Sequence, residues 1–301
     1  MNQIKLSRWQ ADCTLLLITL IWGWTFVVMK NAIAQVPVFS FLAVRFGLAL
    51  LTLAPFVWPK LAGLTWPQIR GGLITGLFLF AGYSFQTLGL QYTTVAKSGF
   101  ITGLYVVLVP VLSTIFLRRA PRRAAVLGLG MAAVGLARLS LGPELGVGLG
   151  DFLTLLGALG YAGHVTAVAR FGGKTDVLAF SSIQIATVLA GSVVMSFLVH
   201  GGIVLSTFNV HIFTAALTTG VLATALVLVL QTTAQRFSTP TQTAVVFTME
   251  PLFAVMFGYV LAGDRLSAAA WLGGALILTG MLMAEVGEPL LATLGQRSRA
   301  G

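Results

Sequence analysis

Ionisable side chains inside apolar segments are the residues of this sequence best suited to chemistry. Glu250 lies about nine residues into an apolar stretch of roughly twenty. A carboxylate at the middle of a bilayer costs about 2.5–3.5 kcal/mol to insert, so it is expected to face water or a partner. Such an acid could carry a proton or bind a substrate amine. The alternative is a packing role beside Pro251, which kinks a helix because it has no N–H.

Two other ionisable residues, Arg45 and His164, leave two or more interpretations open. Arg45 lies about seven residues from the end of its stretch, so its side chain could extend to the interface, bind an anion or pair with Glu250. His164 could relay protons, since imidazole titrates near neutral pH, or form only a local hydrogen bond. Asp12 and Asp151 open apolar stretches, where a carboxylate is expected to cap the helix.

Aromatic, amide and hydroxyl residues recur at helical spacing in several apolar stretches. Polar groups that face lipid would lack hydrogen-bond partners, so these faces should point into a bundle. The candidate substrate-binding residues are Trp22, Trp24, Phe26, Tyr83, Gln86, Thr102, Tyr105, Tyr161, His164, Gln231, Phe247 and Glu250. Core packing is the alternative for each of them. Together they predict a neutral, aromatic, amide-rich cavity with one acid, which suits small amphipathic zwitterions better than sugar phosphates.

The composition predicts an integral membrane protein. Of 301 residues, 57% are hydrophobic and 9% are charged, whereas soluble proteins carry about 25% charged residues. A soluble enzyme, a nucleic-acid-binding domain and a disordered chain are therefore disfavoured. The single Cys13 and three widely separated histidines provide no disulfide framework or metal-ligand spacing, so we expect no metal and no cofactor.

Ten apolar stretches are long enough to cross the roughly 30 Å hydrocarbon core of a bilayer. They run over residues 11–29, 38–58, 70–90, 95–117, 122–141, 150–169, 178–200, 210–231, 241–262 and 267–285. The predicted fold class is therefore an all-α integral membrane protein with ten transmembrane helices and short connections.

The basic residues predict the orientation of these spans. With the N-terminus inside, 13 of the 18 Lys and Arg residues lie on the inner side, four lie on the outer side and Arg45 is embedded. Because Lys and Arg favour cytoplasmic loops, we expect both termini to be cytoplasmic, in a multi-pass protein of the cell inner membrane. The same topology bias accounts for the net charge of +10 without a nucleic-acid partner.

The second half of the sequence repeats the first. When the sequence is aligned with itself at an offset of 139 residues, the matched pairs are Trp22 with Tyr161, Asp12 with Asp151 and Arg45 with Gln184. At an offset of 145 residues, the matched pairs are Tyr105 with Glu250, Gly128 with Gly273 and Gly135 with Gly280. Each half has an odd number of spans, so the halves must be inverted, an arrangement that favours alternating access. We predict a cytoplasmic N-terminus at 1–10, repeats at 11–141 and 150–285, and a cytoplasmic tail at 286–301.

A glycine motif in the fifth span matches a nucleotide-binding fingerprint by chance. Gly128, Gly130 and Ala133 fit Gly-x-Gly-x-x-Ala, but that pattern requires a preceding strand and an aqueous βαβ unit. Since Gly128 and Gly135 recur in the second half, we interpret them as small-residue helix contacts. The sequence also has no Walker motif, so we expect no direct use of ATP.

Several short motifs, in order, resemble the EamA branch of the drug/metabolite transporter superfamily. They are Trp22-Gly23-Trp24-Thr25-Phe26, Val44-Arg45-Phe46, Gln91-Tyr92-Thr93-Thr94, Gly150-Asp151 and Met249-Glu250-Pro251. The resemblance implies a ten-helix transporter, in a family with many exporters of amino acids and other metabolites. It also implies a central cavity lined mainly by spans 1, 3, 4, 6, 8 and 9, with spans 5 and 10 peripheral.

These observations favour a secondary active exporter of amino acids or related amphipathic or aromatic compounds, with Glu250 as the ion-coupling residue. Its expected partners are a small-molecule substrate, the lipid bilayer and protons, with no nucleic acid, and we expect a monomer or a homodimer. The alternative is an importer or exchanger of nucleobase-like or drug-like compounds. An intramembrane enzyme is disfavoured, because catalysis would need clustered acids or histidines at matched depths.

Overall fold

The computed structural model describes residues 6–117, 123–140, 148–235, 237 and 246–297. Throughout these residues the regular structure is helical, which agrees with the predicted class. The helices of the first half are α1 (Arg8–Ile33), α2 (Val38–Leu61), α3 (Trp66–Tyr92), α4 (Val95–Gly103), α5 (Tyr105–Leu117) and α6 (Arg123–Ser140). Those of the second half are α7 (Leu149–Phe171), α8 (Val177–His200), α9 (Val210–Gly220), α10 (Val227–Ala234), α11 (Met249–Leu261) and α12 (Ala268–Arg297).

The predicted spans are found among these helices. Within the described residues, six helical segments are long and apolar enough to cross a membrane, and one of these six runs from α9 through α10. Four shorter apolar helices lie in the remaining predicted spans. Residues 122, 141 and 241–245, which belong to the predicted fifth and ninth spans, lie outside the described part of the chain. The last helix continues to Arg297, well past the predicted end of its span at residue 285.

Three spans are interrupted in ways that the apolar pattern does not indicate. Leu104 separates α4 from α5 in the fourth span. In the eighth span, a π-helical turn over Val221–Leu226 separates α9 from α10. A further turn at Thr248 precedes α11, within one residue of the repeat equivalent of Leu104. The fourth and ninth spans therefore share a break just before Tyr105 and Glu250.

The two halves interleave. Helix α2 packs against α8, α4 against α11 and α6 against α12, so each of these spans lies against its own repeat counterpart. In addition, α3 packs along α7 and α1 along α11. The space at the centre of the bundle is consequently enclosed by both repeats.

The contact between α6 and α12 uses the repeated glycines. A Cβ atom on Gly128 would lie 2.4 Å from the backbone oxygen of Gly280, and one on Gly135 would lie 2.6 Å from that of Gly273. Only glycine allows the two backbones to approach so closely. The interpretation of these residues as helix contacts is confirmed.

The helix starts correct the predicted capping roles of the two aspartates. Helix α1 begins four residues before Asp12, and Ser7 is its N-cap, in a capping box with Gln10. Asp151 lies in the first turn of α7, where its charge suits the helix dipole, but Gly148 is the N-cap and makes no side-chain capping bond. The prediction was wrong because it placed the start of α1 too late and because the Asp151 carboxylate has partners on other helices.

Candidate functional site

A central cavity lies between the two repeats. Its lining residues come from seven of the ten spans: Trp22, Thr25, Phe26, Met29, Arg45, Leu79, Tyr83, Gln86, Thr102, Tyr105, Tyr161, His164, Val165, Leu228, Gln231, Phe247 and Glu250. The empty space between the lining atoms is about 610 Å³, including open solvent at its mouth. Spans 1, 3, 4, 6, 8 and 9 contribute as expected, and the second span adds Arg45.

All but one of the twelve candidate residues line this cavity. The exception is Trp24, which is half-buried. Because successive residues turn by about 100° around a helix, Trp24 points some 200° away from Trp22, which does face the cavity. Helical spacing correctly predicted lining residues from six spans, whereas Trp24, although it belongs to the same motif as Trp22, does not line the cavity.

Arg45 was not among the candidates, and extension of its side chain to the interface, one of its three interpretations, is wrong. Its side chain is 1% exposed and its Nε donates to Thr224 Oγ1 at 3.0 Å. Pairing with Glu250 is also wrong, because the ion pairs among the described residues join Lys60 to Asp176 and Lys97 to Asp151. The sequence feature that could have identified Arg45 as a site residue is its charge within an apolar span, because charged residues inside membrane spans usually have a functional role.

Glu250 is buried in the cavity wall beside its own repeat counterpart. Its side chain is 5% exposed, and Tyr105 Oη donates to Glu250 Oε2 at 3.2 Å. Gly99 allows α4 to lie against Ala254 of α11, since a Cβ there would be 2.4 Å from Ala254 Cβ. This close packing brings the two equivalent residues together where the fourth and ninth spans meet.

The amide and hydroxyl groups of the cavity form a connected network. Tyr161 Oη donates to Gln86 Oε1 at 2.8 Å, and Gln86 Nε2 donates to Thr102 Oγ1 at 3.0 Å. The rings of Tyr83 and Tyr105 flank Tyr161, with centroids 5.6 and 6.2 Å away. These contacts fix the orientation of an aromatic wall and leave a surface suited to flat, partly polar molecules.

His164 makes the local hydrogen bond that was its alternative interpretation. Its Nε2 lies 2.8 Å from Gln184 Oε1, and Gln184 Nε2 donates to the backbone oxygen of Phe180. Since Gln184 Oε1 can only accept, His164 Nε2 carries the hydrogen. The imidazole is therefore held in a defined orientation at the edge of the cavity.

A polar network joins four helices at one end of the bundle, here termed the Lys97 end. Thr93 Oγ1 donates to Asp151 Oδ1 at 2.8 Å, and Lys97 Nζ lies 3.7 Å from Asp151 Oδ2. Lys30 Nζ donates to the backbone oxygens of Leu90 and Thr93. These contacts connect the end of α1 and of α3 with the start of α4 and of α7, and they hold this end of the bundle together.

Comparison with known proteins identifies relatives that match most of the chain. The sequence model of the EamA-like transporter family matches residues 9–141 and again residues 148–285. An uncharacterized transporter of Archaeoglobus fulgidus is 31% identical over 284 residues, which cover 93% of this chain and 87% of the relative. A solved crystal structure superposes with a TM-score of 0.66 at 19% identity, covering 91% of this chain and 96% of the other; at that identity it supports the fold alone.

Proposed function

We propose that this chain, which belongs to the EamA-like transporter family, is a secondary active exporter of amino acids or related amphipathic and aromatic compounds. The relatives indicate a transporter; the substrate class, the direction and the coupling are our proposal. An importer or exchanger of nucleobase-like or drug-like compounds is the alternative. We further propose that the protein lies in the cell inner membrane with both termini cytoplasmic.

The observation that carries this proposal is the cavity between the inverted repeats, with Glu250 at their junction. Its polar groups are mainly tyrosine hydroxyls, amides and threonine, and its flat surfaces are aromatic. An aromatic or amphipathic solute can stack on these rings and donate or accept single hydrogen bonds. Phosphorylated sugars would require several cationic side chains, whereas Arg45 is the one Arg or Lys in the described lining.

The symmetry of the fold supports alternating access as the mechanism. In an inverted repeat, exchange of the conformations of the two halves exchanges the side on which a central site opens. The Tyr105–Glu250 contact joins two repeat-equivalent residues, so a movement of either half can change it. In this mechanism the carboxylate of Glu250 takes up one proton on one side of the membrane and releases it on the other side in each cycle.

Counterflow in proteoliposomes tests the proposed function. Vesicles preloaded with one unlabelled compound would be assayed for uptake of a labelled one, using a panel of amino acids, nucleobases and sugar phosphates, with and without a pH gradient. Saturable exchange of amino acids, accelerated by the gradient, is the expected result. Exchange of sugar phosphates alone would contradict our interpretation of the lining.

Loss of the Asp151–Lys97 ion pair should open the Lys97 end. Asp151→Asn retains an acceptor for Thr93 but removes the charge that faces Lys97, so the closed arrangement of this end loses stability. We expect labelling of a cavity cysteine, Thr102→Cys in a Cys13→Ser background, to accelerate roughly fivefold, as a loss of about 1 kcal/mol would produce. A membrane-impermeant maleimide, added from the Lys97 side of oriented vesicles, measures this rate.

The matched control is Asp12→Asn, which changes the repeat equivalent of Asp151 at the opposite end of the bundle. This variant should not accelerate labelling from the Lys97 side. Equal acceleration by both substitutions would mean that Asp151 acts through general destabilisation, and an unchanged rate in Asp151→Asn would show that the ion pair does not hold this end closed.

A further inference from the structure

Arg45 is a buried cation without an anionic partner among the described residues. It lies within α2, its side chain is 1% exposed, and neither of the two ion pairs in the described part of the chain includes it. A guanidinium in a membrane interior is unfavourable unless an anion or a full set of hydrogen bonds compensates its charge. The cavity that it lines is the place where such an anion can bind.

The hydrogen bonds of Arg45 leave part of its donor capacity free for a ligand. Nε donates to Thr224 Oγ1 at 3.0 Å, one terminal nitrogen contacts Met29 Sδ at 2.9 Å, and the other lies 3.5 Å from Tyr83 Oη. A thioether is a weak acceptor, and a guanidinium has five N–H groups. The strong bond to Thr224 orients the side chain, while the terminal nitrogens are only weakly satisfied.

The backbone of the eighth span positions the Thr224 hydroxyl that accepts from Arg45. Thr224 lies in the π-helical turn Val221–Leu226, a rare element that often marks functional sites, and its Oγ1 donates to the backbone oxygen of Thr219. A Cβ on Gly220 would lie 2.6 Å from the backbone oxygen of Arg45. The close approach at Gly220 and the π turn together place the Thr224 hydroxyl where it accepts from Nε.

The cation and the acid of the cavity lie at opposite ends of a row of tyrosines. Arg45 Cζ lies 4.8 Å from the centroid of the Tyr83 ring, Tyr161 follows Tyr83, and Tyr105 follows Tyr161 and binds Glu250. The first half alone supplies the cation, since the repeat counterpart of Arg45 is the neutral Gln184. The two ends of the site therefore differ in charge, with the cationic Arg45 at one end and the acidic Glu250 at the other.

We infer that Arg45 binds the carboxylate of the transported molecule, with the aromatic part of that molecule against Tyr83 and Tyr161. Planar guanidinium donors recognise carboxylates through paired, charge-assisted hydrogen bonds. This inference rests on the proposed function and narrows the substrate class to carboxylates. Amines that lack a carboxylate should be excluded, and Glu250 remains free for the proton.

The test compares three compounds that share one aromatic ring. Phenylalanine carries a carboxylate and an amine, phenylacetate carries only the carboxylate, and phenethylamine carries only the amine. In proteoliposome counterflow, the wild-type chain is expected to exchange the two carboxylates and to carry phenethylamine at least tenfold more slowly. Arg45→Gln should raise the KM for phenylalanine at least tenfold and abolish the preference for carboxylates.

Two further variants separate anion binding from folding. Arg45→Lys keeps the buried charge without the planar fork, and should retain the preference for carboxylates with a KM raised severalfold. Thr224→Val removes only the hydroxyl that orients Arg45, and should raise KM more than it lowers the maximal rate. Size-exclusion chromatography in detergent shows whether each variant folds. If Arg45→Gln does not fold, the KM values of Arg45→Lys and Thr224→Val still test the inference.

The outcomes distinguish the inference from the proposed function. If phenethylamine is carried as well as phenylalanine, or if Arg45→Lys and Thr224→Val leave the KM for carboxylates unchanged, the inference is overturned and transport itself stands. If no compound of the wider metabolite panel shows saturable flux, the proposed function fails, and the role of Arg45 in it fails as well.

Discussion

Glu250→Gln is expected to reduce the pH-gradient-driven component of transport at least tenfold, and substrate exchange without a gradient by much less. Gln has nearly the same shape as Glu and can accept a hydrogen bond from Tyr105, but it cannot take up a proton. Glu250 is also the one Asp or Glu in the described cavity lining, so no neighbouring carboxylate in that lining can replace it. A coupled proton would therefore have no carrier within the site.

The measurement is uptake into proteoliposomes with an imposed pH gradient, compared with counterflow at equal pH in the same preparation. Tyr105→Phe is the informative companion, because it removes the hydroxyl that donates to Glu250 but leaves the acid. We expect it to retain coupling with an altered pH profile. If Glu250→Gln responds to the gradient as the wild type does, Glu250 is not the coupling residue and the packing role beside Pro251 gains support.

Gly128→Leu is expected to destabilise the folded protein, whereas Gly130→Leu, two residues away on the same helix, should have little effect. A Cβ on Gly128 would lie 2.4 Å from the backbone oxygen of Gly280, whereas one on Gly130 would have no neighbour within 4 Å. The larger side chain must separate α6 from α12 at Gly128. Overpacking of this kind costs about 1–3 kcal/mol, which corresponds to a melting temperature lower by roughly 2–10 °C.

Thermal unfolding of the purified variants in detergent, together with their expression level, measures this difference. The pair of variants also tests the rejected nucleotide-binding pattern, in which Gly128 and Gly130 would both serve the same loop. Equal damage from both substitutions would argue against the helix crossing as the reason for Gly128. Damage at Gly128 alone agrees with a backbone contact that only glycine permits.

The sequence predicted the cavity residues whose position on a helix face could be determined from helical spacing alone. Tyr83 and Gln86, or Phe247 and Glu250, are three residues apart and must share a helix face. Because unpaired polar groups avoid lipid, that face points inward. The same argument does not decide the case of Arg45, whose long side chain could reach either the interface or the interior. It also does not support Trp24, which lies two positions from Trp22 and therefore on another face of the helix.

Contacts between helices were not predictable in the same way. Asp151 was expected to cap its own helix, yet it accepts from Thr93 and pairs with Lys97. That choice depends on how close α3 and α4 come to the start of α7, which local sequence does not encode. The break at Leu104 was also missed, because an interruption inside an apolar span does not change the hydrophobic pattern.

The apolar lengths and the repeated residues determined, without any coordinates, that this is a ten-span membrane protein built from two inverted halves. Hydrophobic length and helical periodicity are local properties, and each can be evaluated from neighbouring residues alone. The packing of the helices was needed to establish that Tyr105 donates to Glu250, that Thr224 accepts from Arg45, and that Lys97 pairs with Asp151. Each of these contacts joins residues more than 50 positions apart, so each depends on the depth, rotation and crossing of whole helices.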